Sequence, residues 1–266
     1  MTPNSFSDGG EYDSPFLFAQ KVEQMAPLCE WLDFGAESTA PFNDAIGKDE
    51  EQSRFSLFEE IDSSLFKEIN FSIDTYRPES FLYFYRLWKD RGGRGQLIWN
   101  DVSGKLDDSV RTVLKECPEV NYVYSHNLAP SRELTSSHMD YCRENLEFRD
   151  IRVFFADSAG EFIDRIIFDP CFGFSKTKDQ NLSILHNIEE LITNENESWL
   201  IGISRKSFLQ AQIQSENKID QSEFLHCLYL AEILQKARCK RLLLRIHDPY
   251  IAIRAINFLH LRDKYS

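Results

Sequence analysis

Several runs of β-branched and aromatic residues end in groups that can do chemistry. Phe71-Ser72-Ile73 leads into Asp74, Gln96 to Trp99 into Asn100-Asp101, and Ile163 to Phe168 into Asp169. Carboxylates and an amide suit a heterocycle with a guanidine-like edge, because a carboxylate takes adjacent donors as a bidentate pair. Two other runs end in positive charge: Trp199 to Ile203 before Ser204-Arg205-Lys206, and Leu242 to Ile246, which holds Arg245, before His247-Asp248. Cations there suit a phosphate or pyrophosphate group. Arg245 and His247 are two apart, so on a strand they face the same way and can converge on one anion. Asp33 and Ser125-His126 close two further runs. A lone Asp in such a place is an ordinary helix cap or turn residue. Chance capping explains the whole series less well.

Groups at strand ends need a scaffold that gathers strand ends. The chain predicts strands at 31–34, 71–74, 96–99, 120–124, 163–168, 199–203 and 242–246. Helical spacing lies between them. Val22, Met25, Ala26 and Cys29 share a face, as do Phe55, Phe58 and Ile61, and Val110, Val113, Leu114 and Cys117. Pro78 is placed to open a helix. Further helices are expected near 138–147, over Ile184 to Ile192, over Leu225 to Leu234 and over Ile251 to Leu259. Strand–helix alternation predicts α/β architecture with a parallel sheet. The 266 residues favour a TIM-type (β/α)8 barrel over an open sheet. Seven strands are visible and the first of eight is expected to be missing from this chain. No Pro-, Gly- or Ser-rich linker divides residues 1–266, which read as a single domain.

Composition narrows the partners. Net charge is −13, which opposes general affinity for nucleic acid. No apolar run approaches the ~20 residues of a membrane span, and Met1 to Ser5 lacks the features of a signal peptide. A cytoplasmic protein acting on small molecules is expected. The cysteines form no C-x-x-C pair and read as small core residues. Gly173 to Thr177 fails as a phosphate loop, since Pro170 and Ser175 stand where glycines would be needed. Arg91-Gly92-Gly93-Arg94-Gly95 reads as a helix end rather than an RNA-binding unit. Lys236, Arg238, Lys240 and Arg241 read as charges favoured at a helix C-terminus. His138, His186, His226 and His260 read as packing or surface residues.

The order of motifs resembles the dihydropteroate synthase family, a pterin-binding barrel family. Thr2 to Gly10 is similar to its N-V-T-P-D-S-F-S-D-G-G loop, and Asp33 to Pro41 to D-x-G-G-E-S-T-R-P. Ser72 to Thr75 resembles S-I-D-T, Asn100 to Gly104 resembles N-D-V-S-G, and Asp169 to Thr177 resembles D-P-G-x-G-F-G-K-T. Gly202-Ile203-Ser204-Arg205-Lys206-Ser207 and Arg245-Ile246-His247-Asp248 complete the series. The resemblance implies condensation of 6-hydroxymethyl-7,8-dihydropterin pyrophosphate with p-aminobenzoate. It implies that Asp74, Asn100, Asp169 and Lys206 hold the pterin, and that Arg245 and His247 bind pyrophosphate with Mg2+ helping. Thr39, Pro41, Phe174 and Ser204 would contact p-aminobenzoate. Asp74, Lys206 and Arg245 are the candidate catalytic residues, and a homodimer is implied.

The chain departs from the pattern at Ala40 (family Arg), Cys171 and Ser175 (family Gly) and Ser125 (family Met). The metal ligands are unknown, because the family Asn would fall upstream of Met1. An in-frame extension of roughly 15–30 residues, enough for one strand and its lead-in, is expected there. Ala40 and the absent Asn also fit an alternative, a pterin-binding paralogue without synthase activity.

Overall fold

The computed structural model describes residues 14–37, 45–131, 134–156, 160–213 and 218–265. Thr39, Ala40, Pro41 and the motif at Thr2 to Gly10 lie outside them. The chain divides into two compact units, 1–125 with 129–138, and 126–128 with 139–266.

In the first unit, strands β1 (Leu32–Gly35), β2 (Phe71–Asp74), β3 (Leu97–Asp101) and β4 (Val120–Ser125) alternate with helices. These are α1 (Pro15–Met25), α2 (Lys48–Phe55), α3 (Ser63–Glu68), α4 (Pro78–Asp90) and α5 (Asp108–Glu116). The strands pair in parallel and in chain order. Aromatic rings fill the space between sheet and helices: Phe58 packs edge-on against Phe18, Phe34, Phe71 and Phe84. Pro78 opens α4 as expected. Asp62 and Asp107 cap α3 and α5 by accepting backbone N–H groups.

The RGG-like stretch is the end of α4. Gly92 has φ +69°, and a Cβ on Gly93 or Gly95 would overlap the Trp88 ring or the Ile69 carbonyl. Glycine is there because nothing larger fits.

In the second unit, β5 (Ile166–Asp169), β6 (Ser198–Ile201) and β7 (Arg241–Leu244) also pair in parallel and in chain order. Helices α6 (Phe148–Ala156), α7 (Lys178–His186), α8 (Glu189–Ile192), α9 (Ser207–Gln210), α10 (Lys218–Lys236) and α11 (Pro249–Tyr265) accompany them. Leu230, Ala231, Ile251 and Ala255 join α10 to α11. No helix among the described residues is long and apolar enough to cross a membrane.

All seven expected strands are present among the described residues. Three expectations need correction. The strand placed at 242–246 ends at Leu244, so Arg245 and His247 lie beyond it and strand alternation does not set their common direction. The helix placed near 138–147 is a short 3-10 segment, Thr135–Tyr141, and the α-helix follows at Phe148–Ala156. The strand placed from Ile163 begins only at Ile166, because Gly160–Arg165 forms another 3-10 turn.

Candidate functional site

Parallel pairing in the first unit aligns Gly35, Asp74 and Asn100 across three strands. Ser72 and Asp33 stand in register two residues earlier, and Ser72 Oγ donates to Asp33 Oδ1 over 2.5 Å. Asn100 is fully buried and its Nδ2 donates to both Asp33 oxygens, at 3.1 and 3.3 Å. That fixes the amide orientation. Asn100 Oδ1 is left as a buried acceptor without a hydrogen bond. A buried acceptor of this kind costs free energy unless something donates to it. Asp101, next along, has a structural role. It accepts from Ser103 N and from Tyr122 Oη, and burial pushes its carboxyl up to about 6.

Behind these strand ends lies a polar cluster that the residue pattern did not reveal. Glu51 of α2 is fully buried. It accepts from Thr75 Oγ1 at 2.6 Å, Ser80 Oγ at 2.5 Å and Arg77 Nη1 at 3.0 Å. Arg77 also donates to Glu37 Oε2 at 2.9 Å and to the Ile46 carbonyl at 2.6 Å. Thr75 follows Asp74 directly, so the network holds the residue next to a candidate ligand.

The second unit gathers the remaining described candidates. Phe174, Lys206 and Gly173 are together: Lys206 Nζ lies 5.1 Å from the Phe174 ring centre, and a Cβ on Gly173 would sit 3.4 Å from Lys206 Cδ. Asp169 is 1% exposed, and its Oδ1 accepts from Cys171 N at 2.7 Å. Its Oδ2 accepts no hydrogen bond and lies 3.7 Å from Arg245 Nη2. Gly202 makes room for Arg245, since a Cβ there would stand 3.1 Å from Arg245 Nε. Ser204 Oγ shares a 2.8 Å hydrogen bond with His247 Nδ1 and accepts from His247 N at 3.3 Å. With the backbone N–H donating to it, the hydroxyl can give its proton to Nδ1. The outward Nε2 then carries the ring N–H. Arg205 is committed elsewhere, both Nε and Nη2 donating to Glu223 Oε1.

The loop after Asp169 holds left-handed backbone at two positions without glycine. Cys171 (φ 54°) and Ser175 (φ 50°) lie in the left-handed region, at a cost of about 1 kcal/mol each. Both are buried. Burial pushes the Cys171 thiol up to about 11, which leaves it protonated and unreactive at neutral pH. Ser125 and His126 turn inward: Ser125 Oγ donates to the Asp101 carbonyl, and His126 packs 4.7 Å from the Phe154 ring. Burial holds His126 well below the usual histidine range, hence neutral. His226 is a packing residue as expected, pushed down to about 4 by burial.

Each unit is parallel α/β, the first with carboxylate and amide groups at its strand ends and the second with a carboxylate, lysine and arginine at or just beyond them, groups of the kind that suit a polar heterocycle and an anion. The family described as pterin binding enzyme matches residues 1–238. Dihydropteroate synthase of Bacillus subtilis is 32% identical over 79% of this chain and 69% of its own length. The mitochondrial folate synthesis bifunctional protein of pea is 31% identical over 93% of the chain, which spans 49% of the pea protein. A crystal structure of Yersinia pestis dihydropteroate synthase in a sulfonamide drug complex superposes with a TM-score of 0.77 at 21% identity. The match covers 100% of this chain and 92% of that one. This likeness bears out the α/β fold class of TIM-barrel type. The chain belongs to the pterin binding enzyme family, among the dihydropteroate synthases.

Proposed function

We propose that this chain is the transferase of folate biosynthesis that joins a pterin to p-aminobenzoate. The amine nitrogen attacks the methylene of 6-hydroxymethyl-7,8-dihydropterin pyrophosphate. The carbon–oxygen bond to pyrophosphate breaks, and the amine gives up a proton. Asp74, Asn100 Oδ1 and Asp169 take the donors of the pterin edge, and Lys206 donates to its carbonyl side. Arg245 and His247 meet the departing pyrophosphate, where fixed donors stabilise developing charge most effectively. Phe174, Ser204, Thr39 and Pro41 receive p-aminobenzoate. The observation that carries the reading is the pairing of an open Asp169 oxygen with Arg245 beside Lys206 and Phe174. The test is pyrophosphate release that depends on added p-aminobenzoate. Pterin binding without that release would mean a paralogue that has lost the reaction.

Arg245→Ala should weaken binding of the pyrophosphate-bearing substrate by roughly tenfold to a hundredfold, the worth of a hydrogen bond to a charged group. Bare pterin should lose much less. Equal losses in a calorimetric comparison would remove Arg245 from the anion site.

Magnesium, implied by the resemblance, belongs to this reading as a companion of pyrophosphate. The described residues fit it poorly. Among them no three His, Cys, Asp or Glu side chains gather as cation ligands, and Arg245, placed at the anion, is itself cationic. No step here runs through a metal.

Residues 1–266 are read as one barrel domain, cytoplasmic and homodimeric. Support for the dimer comes from α10 and α11, whose outer faces expose Phe224 and Leu228, and Phe258 and Leu261. Apolar stripes of this kind on a packed helix pair suit a second copy of the chain. Light scattering should give a dimer mass, and Leu228→Glu with Phe258→Glu should give a monomer. A monomeric wild-type protein would remove the dimer from the reading.

A further inference from the structure

We infer that Lys176 is a positioning residue for the reaction, its buried side chain setting the shape of the loop that presents Asp169 and Phe174. The inference rests on the functional reading above, in which those two residues meet the substrates.

Lys176 is 3% exposed. Its Nζ donates to three carbonyls: His126 at 2.9 Å, Phe174 at 3.0 Å and Cys171 at 3.3 Å. An ammonium in the interior is tolerated only when its donors are satisfied, and three carbonyls match its three N–H groups. Two of those carbonyls lie within the loop, either side of Gly173. The third belongs to His126, whose own N–H donates to the Asp169 carbonyl at 2.8 Å. One side chain therefore ties the strand end that bears Asp169 to the turn that bears Phe174. The loop needs such a tie, because Cys171 and Ser175 hold left-handed backbone without glycine. Asn181 braces the other side, accepting from Gly173 N at 2.8 Å and donating to the Lys176 and Thr177 carbonyls.

The tie is sensitive to protonation. Burial brings Lys176 down to about 8, with the Asp169 carboxylate favouring the charge and Lys206 opposing it; the thiols of Cys171 and Cys142 also lie near. His126 is the other titratable neighbour; Arg143 acts on it in turn, and buried His126 stays neutral. Above that pH the neutral amine keeps two N–H donors for three carbonyls, and one loop carbonyl loses its partner.

The experiment combines amide exchange with binding of 6-hydroxymethylpterin. In wild-type protein, exchange over 171–176, corrected for the intrinsic pH effect, should rise about tenfold from pH 7 to 9.5 while α7 amides hold steady. Pterin affinity should fall by about tenfold over the same range. Lys176→Gln should show fast loop exchange and weak binding at both pH values. The comparison of the two proteins cancels the titration of the pterin itself. Loop exchange that is flat with pH in the wild type, or wild-type affinity in Lys176→Gln, overturns the inference. If the wild type binds no pterin at either pH while loop exchange responds, the functional reading fails and the reaction role falls with it.

Discussion

A Glu51→Ala variant should unfold more readily by about 3–5 kcal/mol, the usual cost of removing one partner from a buried ion pair. Glu51 stands at the centre of a closed set of bonds, accepting hydrogen bonds from Thr75, Ser80 and Arg77. Its side chain is 1% exposed and that of Arg77 17%, so water cannot replace what is lost. Glu37 still faces the guanidinium in the variant, at 2.9 Å, which keeps the cost toward the lower end of the range. The two hydroxyls have no comparable substitute. Urea denaturation should show a lower midpoint with an unchanged slope, since the exposed area on unfolding is the same. Glu51→Gln, which retains an acceptor, should lose less than Glu51→Ala. A loss under about 1 kcal/mol, the worth of one ordinary hydrogen bond, would mean the cluster is not a structural keystone.

Lys206→Ala should leave the fold intact and reduce pterin binding and turnover by on the order of a hundredfold, the upper worth of one charge-assisted hydrogen bond. Lys206 is only partly buried, and its stem rests against Gly173 and the Phe174 ring. Truncation there opens no cavity in the core, so thermal unfolding should barely move. Calorimetry with pterin and a circular dichroism melt separate the two effects. Full turnover in the variant would take Lys206 out of the site. A large fall in melting temperature would recast it as a packing residue.

How far a chain can be read in advance depends on the range of its contacts. The strands were legible because β-branched and aromatic runs such as Phe71-Ser72-Ile73 carry their own signal and end at polar residues. Asp74, Asn100 and Asp169 were legible for the same reason, as groups at strand ends, and Arg245 and Lys206 as cations one and five residues beyond two others. The segment around 138–147 misled because its scattered apolar residues imitate a helix. The real stripe, Phe148, Ile151 and Phe155, starts just beyond it. The 163–168 run misled because Phe162 and Ile163 have strand-like side chains but sit in a 3-10 turn. The supporting shell could not be read at all. Arg77 finds Glu51 and Glu37 across 26 and 40 residues, and Lys176 finds the His126 carbonyl across 50. No local spacing encodes such pairs. The commitment of Asn100 to Asp33 was hidden likewise, with 67 residues between them.

That last bond acts as a filter on chemistry. Because Asn100 Nδ2 donates to Asp33, the atom of this side chain left without a partner is the buried Oδ1. A hydrogen-bond donor would satisfy that oxygen. One that offers a ring nitrogen lone pair or a carbonyl instead would set acceptor against acceptor in a buried place. Sites built this way reject the wrong partner far more strongly than they reward the right one. An inhibitor that sets a donor against this oxygen should bind more tightly than its counterpart with an acceptor in the same place.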